Sequence, residues 1–386
     1  MKKLLSLFIK AVICVAVLSA GVYIADTVLG MADPWKNKVP EEVTDFGSPH
    51  KFYYDNLSDT EKHAYNELIS NVYTMPEKIR IPDLDKDGLD NVFSALLADN
   101  PDLFFVARRC TLISQGLYTY CAVEYYIDNE TYLRQKSELE EVCKKVISSL
   151  PDTDDEFRKE LAIHDYIIGN CTYRLEEDEF VYSSSYGALV NGEAGCEGYS
   201  KATKLLMDMA GMESAVVSGV SSNSENEAGR HMWNAVRVNG DFYHLDCTWD
   251  DPVTDNGNEM LTYSYFNLSD EMIADTHSEF SYDFNCDSES ENYFVKTNSS
   301  FDSYGRSDEK RLVKIISDKL NVGEKEVHLS FANKEAYDDA VSELIDSGRI
   351  YAVLRNVKGK TRKEFSTNSL FCSPDPERRV LIFVIE

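Results

Sequence analysis

The sequence predicts an α+β protein, on three observations. Apolar residues recur at helical spacing in several stretches, among them 58–75, 156–168 and 196–209. Elsewhere they alternate in paired runs joined by short Gly-containing turns, the pattern of antiparallel hairpins. The composition, 43% hydrophobic with 23 Tyr and 18 Phe in 386 residues, supplies a core that disordered or fibrous chains lack. That length predicts two or three domains. The net charge of −28 repels phosphate backbones, so it argues against nucleic acid as a partner and against loose adhesion to anionic lipid.

The first thirty residues read as an export signal or a membrane anchor. Lys2, Lys3 and Lys10 precede an uncharged run from Ala11 to Ala25, which ends at Asp26. That run is shorter than the ~20 residues of a spanning helix. Counting from Leu4 lengthens it, so cleavage and anchoring through residues 4–25 both stay open. The segment is expected to contact the membrane at least during export, and the protein to be extracellular or on the cell surface. Of nine cysteines, Cys14 lies in this segment, and no two form a C-x-x-C pair, which argues against ribbon or finger zinc. No cofactor is expected.

Residues 31–150 are predicted to be an accessory α+β domain. Ser58 and Glu61 form a capping box opening a helix with Tyr65, Leu68, Ile69 and Val72 on one face. A second helix is expected over 90–98, and a third over 131–149, stopped by Pro151. Between the first two lies Asp83-Leu-Asp85-Lys-Asp87-Gly88, the opening of an EF-hand loop. Its twelfth position is Ser94 where Glu is needed, so Asp83, Asp85 and Asp87 are a weak calcium candidate and a polar capping turn is the competing reading. The alternating runs 103–113 and 117–127 predict a hairpin. With Gln115-Gly116 as its loop, Cys110 falls opposite Cys121, so their sulfurs are expected to be neighbours, with a disulfide left open.

Residues 151–295 carry the chemistry. After a helix over 156–168 and a Gly-studded stretch, Cys196 begins a helix in which Ala202, Leu205, Leu206 and Met209 form the predicted buried stripe and Gly211 the stop. A cysteine in a first helical turn meets free N–H groups and the positive end of the dipole, which favour a thiolate. Gly195 and Gly198 on either side would allow a chain or a substrate to approach closely. An ordinary buried cysteine is the plainer alternative.

Further on, Asn239-Gly240 joins two alternating runs as a two-residue hairpin loop. Val238 then pairs with Asp241, Trp233 with Asp246, and His231 with Thr248. Residues two apart share a face, so His231 and Asp246 become diagonal neighbours within imidazole–carboxylate reach. His244 shares that face, but it precedes Asp246 on the same strand and is assigned to packing, as is His164 on its helix. Cys247 should point away and be buried. A thiol at a helix start, a histidine and an orienting carboxylate are the nucleophile, base and orienter of covalent acyl transfer.

These segments, G-C-E-G-Y-S (195–200), H-M-W-N-A-V (231–236) and Y-H-L-D-C-T-W-D-D-P (243–252), resemble the transglutaminase-like superfamily, in the branch of bacterial surface and secreted proteins. The resemblance extends over I-H-D-Y-I (163–167), Y-G-A-L-V (186–190) and Y-F-N-L-S-D (265–270) with His277, covering about 150–295. L-L-A-D-N-P-D-L-F-F (96–105) is similar to regions that often precede such domains. The resemblance implies a papain-like transglutaminase core with Cys196, His231 and Asp246 as its triad, acting on amide bonds of a protein, peptide or cell-wall peptide. The expected enzyme is a cysteine peptidase, an amidase or a protein-glutamine acyltransferase. The backbone N–H of Cys196 would serve an oxyanion, with Tyr186, Trp233 and Asn234 as further donors or supports. The alternative is a catalytically silent surface binding or scaffold protein on the same fold.

Residues 302–386 are predicted to form a small α/β module, reached through a polar linker. Its elements are expected as helix 308–320, strand 326–331, helix 334–347, and strands 349–355 and 378–385.

Overall fold

The computed structural model describes residues 34–35, 38–44, 47–174, 180–222, 228–251 and 261–386. The export segment, its Cys14 and the anchor over residues 4–25 lie outside the described residues. Among the described residues no helix is long and apolar enough to cross a membrane. The chain divides into two compact units, Met1–Ser137 and Glu138–Glu386, so the sequence boundary near 150 falls inside the second unit and residues 302–386 group with those before them.

The first unit contains α1 (Phe52–Asp55), α2 (Asp59–Val72), β1 (Ile79–Ile81), α3 (Lys86–Asp99), β2 (Val106–Gln115) and β3 (Tyr118–Tyr125); α4 (Asn129–Ser149) crosses the division. Ser58 caps α2 in a full capping box, and Tyr65, Leu68, Ile69 and Val72 are all fully buried. Helix α3 begins four residues earlier than the sequence suggested, because Asp85 caps it by accepting the Gly88 N–H at 2.8 Å. Asp83 accepts from the Thr119 hydroxyl at 2.9 Å. The helix runs through most of the supposed calcium loop, including Asp87 and Ser94, so that segment cannot wrap an ion and the capping reading replaces it.

The sheet order is β1-β3-β2, antiparallel throughout. Its hairpin register differs from expectation by two residues. Gln115 pairs with Tyr118, and of the loop pair only Gly116 has a positive φ, +66°, as a II′ turn with Gly first requires. Cys110 therefore pairs with Val123 and Leu112 with Cys121. The two cysteines are diagonal neighbours on one face, and their sulfurs still share a hydrogen bond. A diagonal pair lies roughly 7–8 Å apart between backbones, beyond the usual disulfide span.

The second unit opens with α5 (Glu156–Ile168), β4 (Thr172–Tyr173), a 3-10 turn (Phe180–Ser183), a π turn (Gly187–Asn191), β5 (Glu193–Ala194) and α6 (Cys196–Met209). Strands β6 (Ser214–Ser221), β7 (Gly229–Val238) and β8 (Asp241–Leu245) follow, then β9 (Phe266–Leu268), α7 (Asp270–Ile273), β10 (His277–Ser278) and α8 (Tyr293–Lys296). The antiparallel sheet order is β10-β6-β7-β8-β9, and α6 packs against β6 and β7. This is the mixed helix-and-sheet architecture expected.

The remaining elements are β11 (Ser300–Phe301), α9 (Glu309–Val322), β12 (Glu326–Phe331), α10 (Lys334–Ala340) running into a π turn (Val341–Asp346), α11 (Ile350–Lys358), β13 (Leu370–Asp375) and β14 (Val380–Ile385). The expected strand over 349–355 is helix α11. Its apolar residues Ile350, Val353, Leu354 and Val357 repeat with the helical period and are all buried; the β-branched content of the run misled. Strand β13 was not foreseen. The sheet order is β11-β12-β14-β13, with its apolar residues packed against α9, α10 and α11 in one core.

Candidate active site

Helix α6 starts where its flanking glycines let it. Gly195 is extended (φ −88°, ψ −178°) and donates its N–H to the Tyr182 carbonyl at 2.8 Å, which makes Cys196 the first helical residue. The amide of that residue has no acceptor within the helix. A Cβ on Gly198 would sit 2.7 Å from both Ala194 Cβ and the Tyr182 carbonyl oxygen. The chain that approaches there is the protein's own 182–184 turn. The buried face of α6 runs through Tyr199, Ala202, Thr203, Leu206 and Met207; Met209, expected in the stripe, is 42% exposed. The helix ends there in a Schellman motif, with Gly211 at φ +75° and the Met212 N–H reaching back to Met207 O.

The second hairpin has the expected register. Asn239 and Gly240 take φ of +52° and +100°, Val238 pairs with Asp241, and Ala235 with His244. Strand β8 ends at Leu245, and the next residue, Asp246, is fully buried. Its Oδ2 lies 2.6 Å from His231 Nε2, while its Oδ1 accepts the N–H groups of Thr248 (3.0 Å) and Trp249 (3.2 Å). Burial alone would raise the Asp246 pKa, but His231 and its other donors outweigh that and hold it well below the carboxylate range. Burial likewise pushes His231 down, yet the Asp246 charge and the hydrogen bonds to Asp246 and to the Cys196 sulfur lift it to about 10. The imidazole is therefore cationic at neutral pH. With Nε2 on Asp246, Nδ1 is the nitrogen left for the sulfur.

A second histidine shares the carboxylate. His277 Nε2 lies 3.1 Å from Asp246 Oδ2, and its Nδ1 lies 2.8 Å from the Thr276 hydroxyl. Burial, with help from the charges of His231 and Arg378, holds His277 below the ordinary histidine range against the pull of Asp246. The neutral ring has one proton, and Asp246 takes it. Sequence reasoning quoted His277 only as part of a motif. In the structure β10 pairs His277 with Ser221 and brings the ring to this face, a pairing of two residues that leaves no pattern in the sequence. Trp249, also unassigned, tilts against both rings at 5.6 and 4.9 Å.

The three supporting candidates divide differently. Trp233 stacks on His231 at 6.0 Å, but its N–H goes to His244 Nδ1 at 3.0 Å. Tyr186 donates its hydroxyl proton to Glu138 at 2.5 Å. Asn234 lies one residue out of phase with His231, on the other face, and its amide donates to the carbonyls of Ser200 (2.9 Å) and Ala215 (3.2 Å). The protons of all three are committed within the protein, so none is left over for an oxyanion. His164 is fully buried between Asp165 (3.0 Å) and Asp250 (3.2 Å), a satisfied core histidine. Cys247 is buried against Thr203, and burial pushes its thiol well above the ordinary range.

Two groups among the described residues have metal-ligand spacing: His231, Asp246 and His277, and His244, Asp270 and Cys286. In the first, both Nε2 atoms carry protons aimed at Asp246. In the second, His244 Nδ1 accepts from Trp233, so its Nε2 holds the proton directed at Asp270 (2.8 Å). Hydrogen bonding accounts for the contacts of both histidine–carboxylate clusters. A cavity of about 480 Å³ is lined by Ser264, Leu268, Phe331, Arg378 and Arg379 among others, and by none of Cys196, His231 and Asp246.

A family model described as the transglutaminase-like superfamily matches residues 144–247. Solved structures similar to this chain include a TGase at 14% identity, covering 51% of this chain and 60% of its own, with a TM-score of 0.27. Another is a candidate cysteine protease from Cytophaga hutchinsonii at 13% identity, covering 40% of this chain and 65% of its own, with a TM-score of 0.25. A third, a candidate protease from Parabacteroides distasonis, has 11% identity, 40% coverage of each chain and a TM-score of 0.22. This chain thus spans less than two thirds of the length of each. The comparison with curated proteins returned no match. The stretch that the transglutaminase-like superfamily model matches, residues 144–247, holds the helix that begins at Cys196 and the hairpin that carries His231.

Proposed function

We propose that the chain is a cysteine-dependent acyl-transfer enzyme acting on amide bonds of proteins or peptides, cell-wall peptides included. The observation that carries the reading is one imidazole, His231, held between the Asp246 carboxylate at 2.6 Å and the Cys196 sulfur. The Cys196 thiolate attacks the amide carbonyl, and the C–S bond forms as the carbonyl π pair moves to oxygen. The Cys196 N–H, free at the helix start, donates to that oxyanion. The imidazolium then protonates the leaving amine, the C–N bond breaks, and an acyl-thioester remains. Neutral His231 next takes a proton from the second nucleophile, which releases the acyl group. Water in that step makes a peptidase or amidase; an amine makes a transamidase. Throughout, Asp246 holds the ring and balances its charge.

Export, and residence at the cell surface through residues 4–25 or after cleavage, complete the proposal. They rest on the charge pattern of the N-terminus. Trypsin treatment of intact cells followed by N-terminal sequencing tests them; a full-length, protease-protected product refutes them.

Iodoacetamide labelling at a pH of about 5.5, where free thiols are almost wholly protonated, tests the enzyme. Cys196 should label at least ~10-fold faster than a free thiol, because its sulfur is hydrogen-bonded to the His231 imidazole at the start of a helix. Labelling no faster than a free thiol would favour a silent scaffold. A screen of peptide cleavage and amine incorporation, with Cys196→Ala as control, then separates hydrolysis from transamidation.

A further inference from the structure

The hydrogen-bonded chain at the triad does not end at His277. Thr276 Oγ1 lies 2.8 Å from His277 Nδ1 and 2.9 Å from an Nη2 of Arg378, which can only donate. The Thr276 hydroxyl also hydrogen-bonds to the Tyr265 hydroxyl, and of the other two acceptors in its reach, His277 Nδ1 lies closer than the Ile273 carbonyl at 3.4 Å. With the Thr276 proton on Nδ1, the neutral ring must carry its own proton on Nε2, where it donates to Asp246. Arg378 therefore selects the His277 tautomer that gives the carboxylate its fourth N–H donor.

Arg378 is itself held in place. It sits at the tip of the β13–β14 hairpin, where Asp375 accepts the Arg378 N–H at 2.9 Å and Arg379 takes a left-handed φ of +56°. Its guanidinium lies 3.8 Å from the centre of the Tyr265 ring. Tyr265 is fixed in turn, accepting the Asp246 N–H at its carbonyl (3.1 Å) and donating its own N–H to Asp250 (2.9 Å). Arg378 thus touches the triad's surroundings twice, from a hairpin more than a hundred residues beyond the family match.

We propose that Arg378 is a positioning residue for the active site, acting through Thr276 and His277 to orient Asp246 and so His231. The C-terminal strands then complete the catalytic apparatus. The inference rests on the thiol-enzyme reading above, and its test can fail separately.

The experiment follows iodoacetamide labelling of Cys196 against pH in the full chain. It compares the unaltered protein with Arg378→Ala, Arg378→Lys, Thr276→Val and the Arg378→Ala/Thr276→Val double variant. Thermal unfolding is monitored alongside. Arg378→Ala and Thr276→Val should each slow labelling about fivefold at a pH of about 5.5 and leave the rate unchanged near pH 9. The double variant should be no slower than either single one, and Arg378→Lys should recover part of the loss. Curves that superimpose on the unaltered protein overturn the proposal, as do additive losses. A loss equal at both pH values marks a merely structural role and overturns it too. Should Arg378→Ala misfold, Thr276→Val, nearly isosteric and on the core side, decides alone. If the unaltered protein has no fast labelling at acid pH, it is the enzyme reading that fails.

Discussion

Asp246 shows how much one side chain can settle. Its two oxygens take four N–H donors, two from the backbone and two from histidines, in a fully buried site. The geometry works only for an ionised acceptor, because a protonated or amidated group would set a donor against a donor. Asp246→Asn should therefore lower turnover by roughly 10⁴-fold, as loss of the orienting carboxylate does in a Ser-His-Asp triad. It should also destabilise the fold by about 1–3 kcal/mol, the cost of a buried polar group left unsatisfied. Steady-state kinetics and denaturant unfolding measure the two effects. A variant that keeps a tenth or more of the activity would remove Asp246 from the mechanism.

Among the elements, α6 is the one whose placement decides reactivity, and two of its glycines have opposite consequences. Gly198 allows the first turn to lie on the Tyr182 carbonyl, where a Cβ would come within 2.7 Å of that oxygen and has no room. Gly198→Ala must push the helix off the turn that anchors Gly195, at a cost of about 1–3 kcal/mol, and it moves Cys196 with it. Gly211 has open space around it and is needed only for its φ of +75°. Gly211→Ala should cost about 1 kcal/mol and leave Cys196 labelling unchanged. Unfolding and labelling measured on both variants check the contrast. Equal effects on labelling would mean that the start of α6 is not positioned by the 182–184 turn.

For the whole molecule three buried groups with raised values, His231, His164 and Glu160, act in one direction, whereas His277 and His244, both lowered from 6.5, oppose them only below pH 6.5. His231 at about 10 and His164 at about 9, both raised from 6.5, stabilise the fold fully below pH 6.5 and lose that contribution as the pH climbs through those values. For His164 the Asp165 and Asp250 carboxylates overcome the opposing effect of burial. Burial raises Glu160 from 4.5 to about 8, so the folded state keeps a proton that the unfolded chain has lost, and stability falls between those values too. Asp246, lowered from 3.8, acts oppositely and is lost only in acid. The net charge of −28 adds self-repulsion as carboxylates ionise. The melting temperature should decline from pH 6.5 toward pH 10. Glu160→Gln, which keeps the Asn267 bond, should flatten the part of the decline below pH 8. A melting temperature that is flat or rising from pH 6.5 to 9 would refute this reading.

By itself the sequence determined what short-range physics determines. Glycine punctuation and helical period marked the start of α6 at Cys196. Asn239-Gly240 set a hairpin register from which the His231–Asp246 pairing could be counted, and a Ser-Glu pair predicted the cap of α2. Where two local solutions were nearly equal, the count went wrong. Gly116 suits the first position of its turn as well as the second, and the register moved by two residues. The run at 350–358 is rich enough in β-branched residues for a strand, although its apolar positions keep the helical period that packs it against α9. Tertiary structure alone decided everything that depends on chain closure. His277 lies 31 residues from Asp246, and Arg378 lies 102 from Thr276. No periodicity links such positions, because their meeting depends on β10 pairing with β6 and on the β13–β14 hairpin lying over Tyr265. The same closure assigned the protons of Tyr186, Trp233 and Asn234. A side chain's free donors are what remains after its neighbours are known, and those neighbours come from distant parts of the chain.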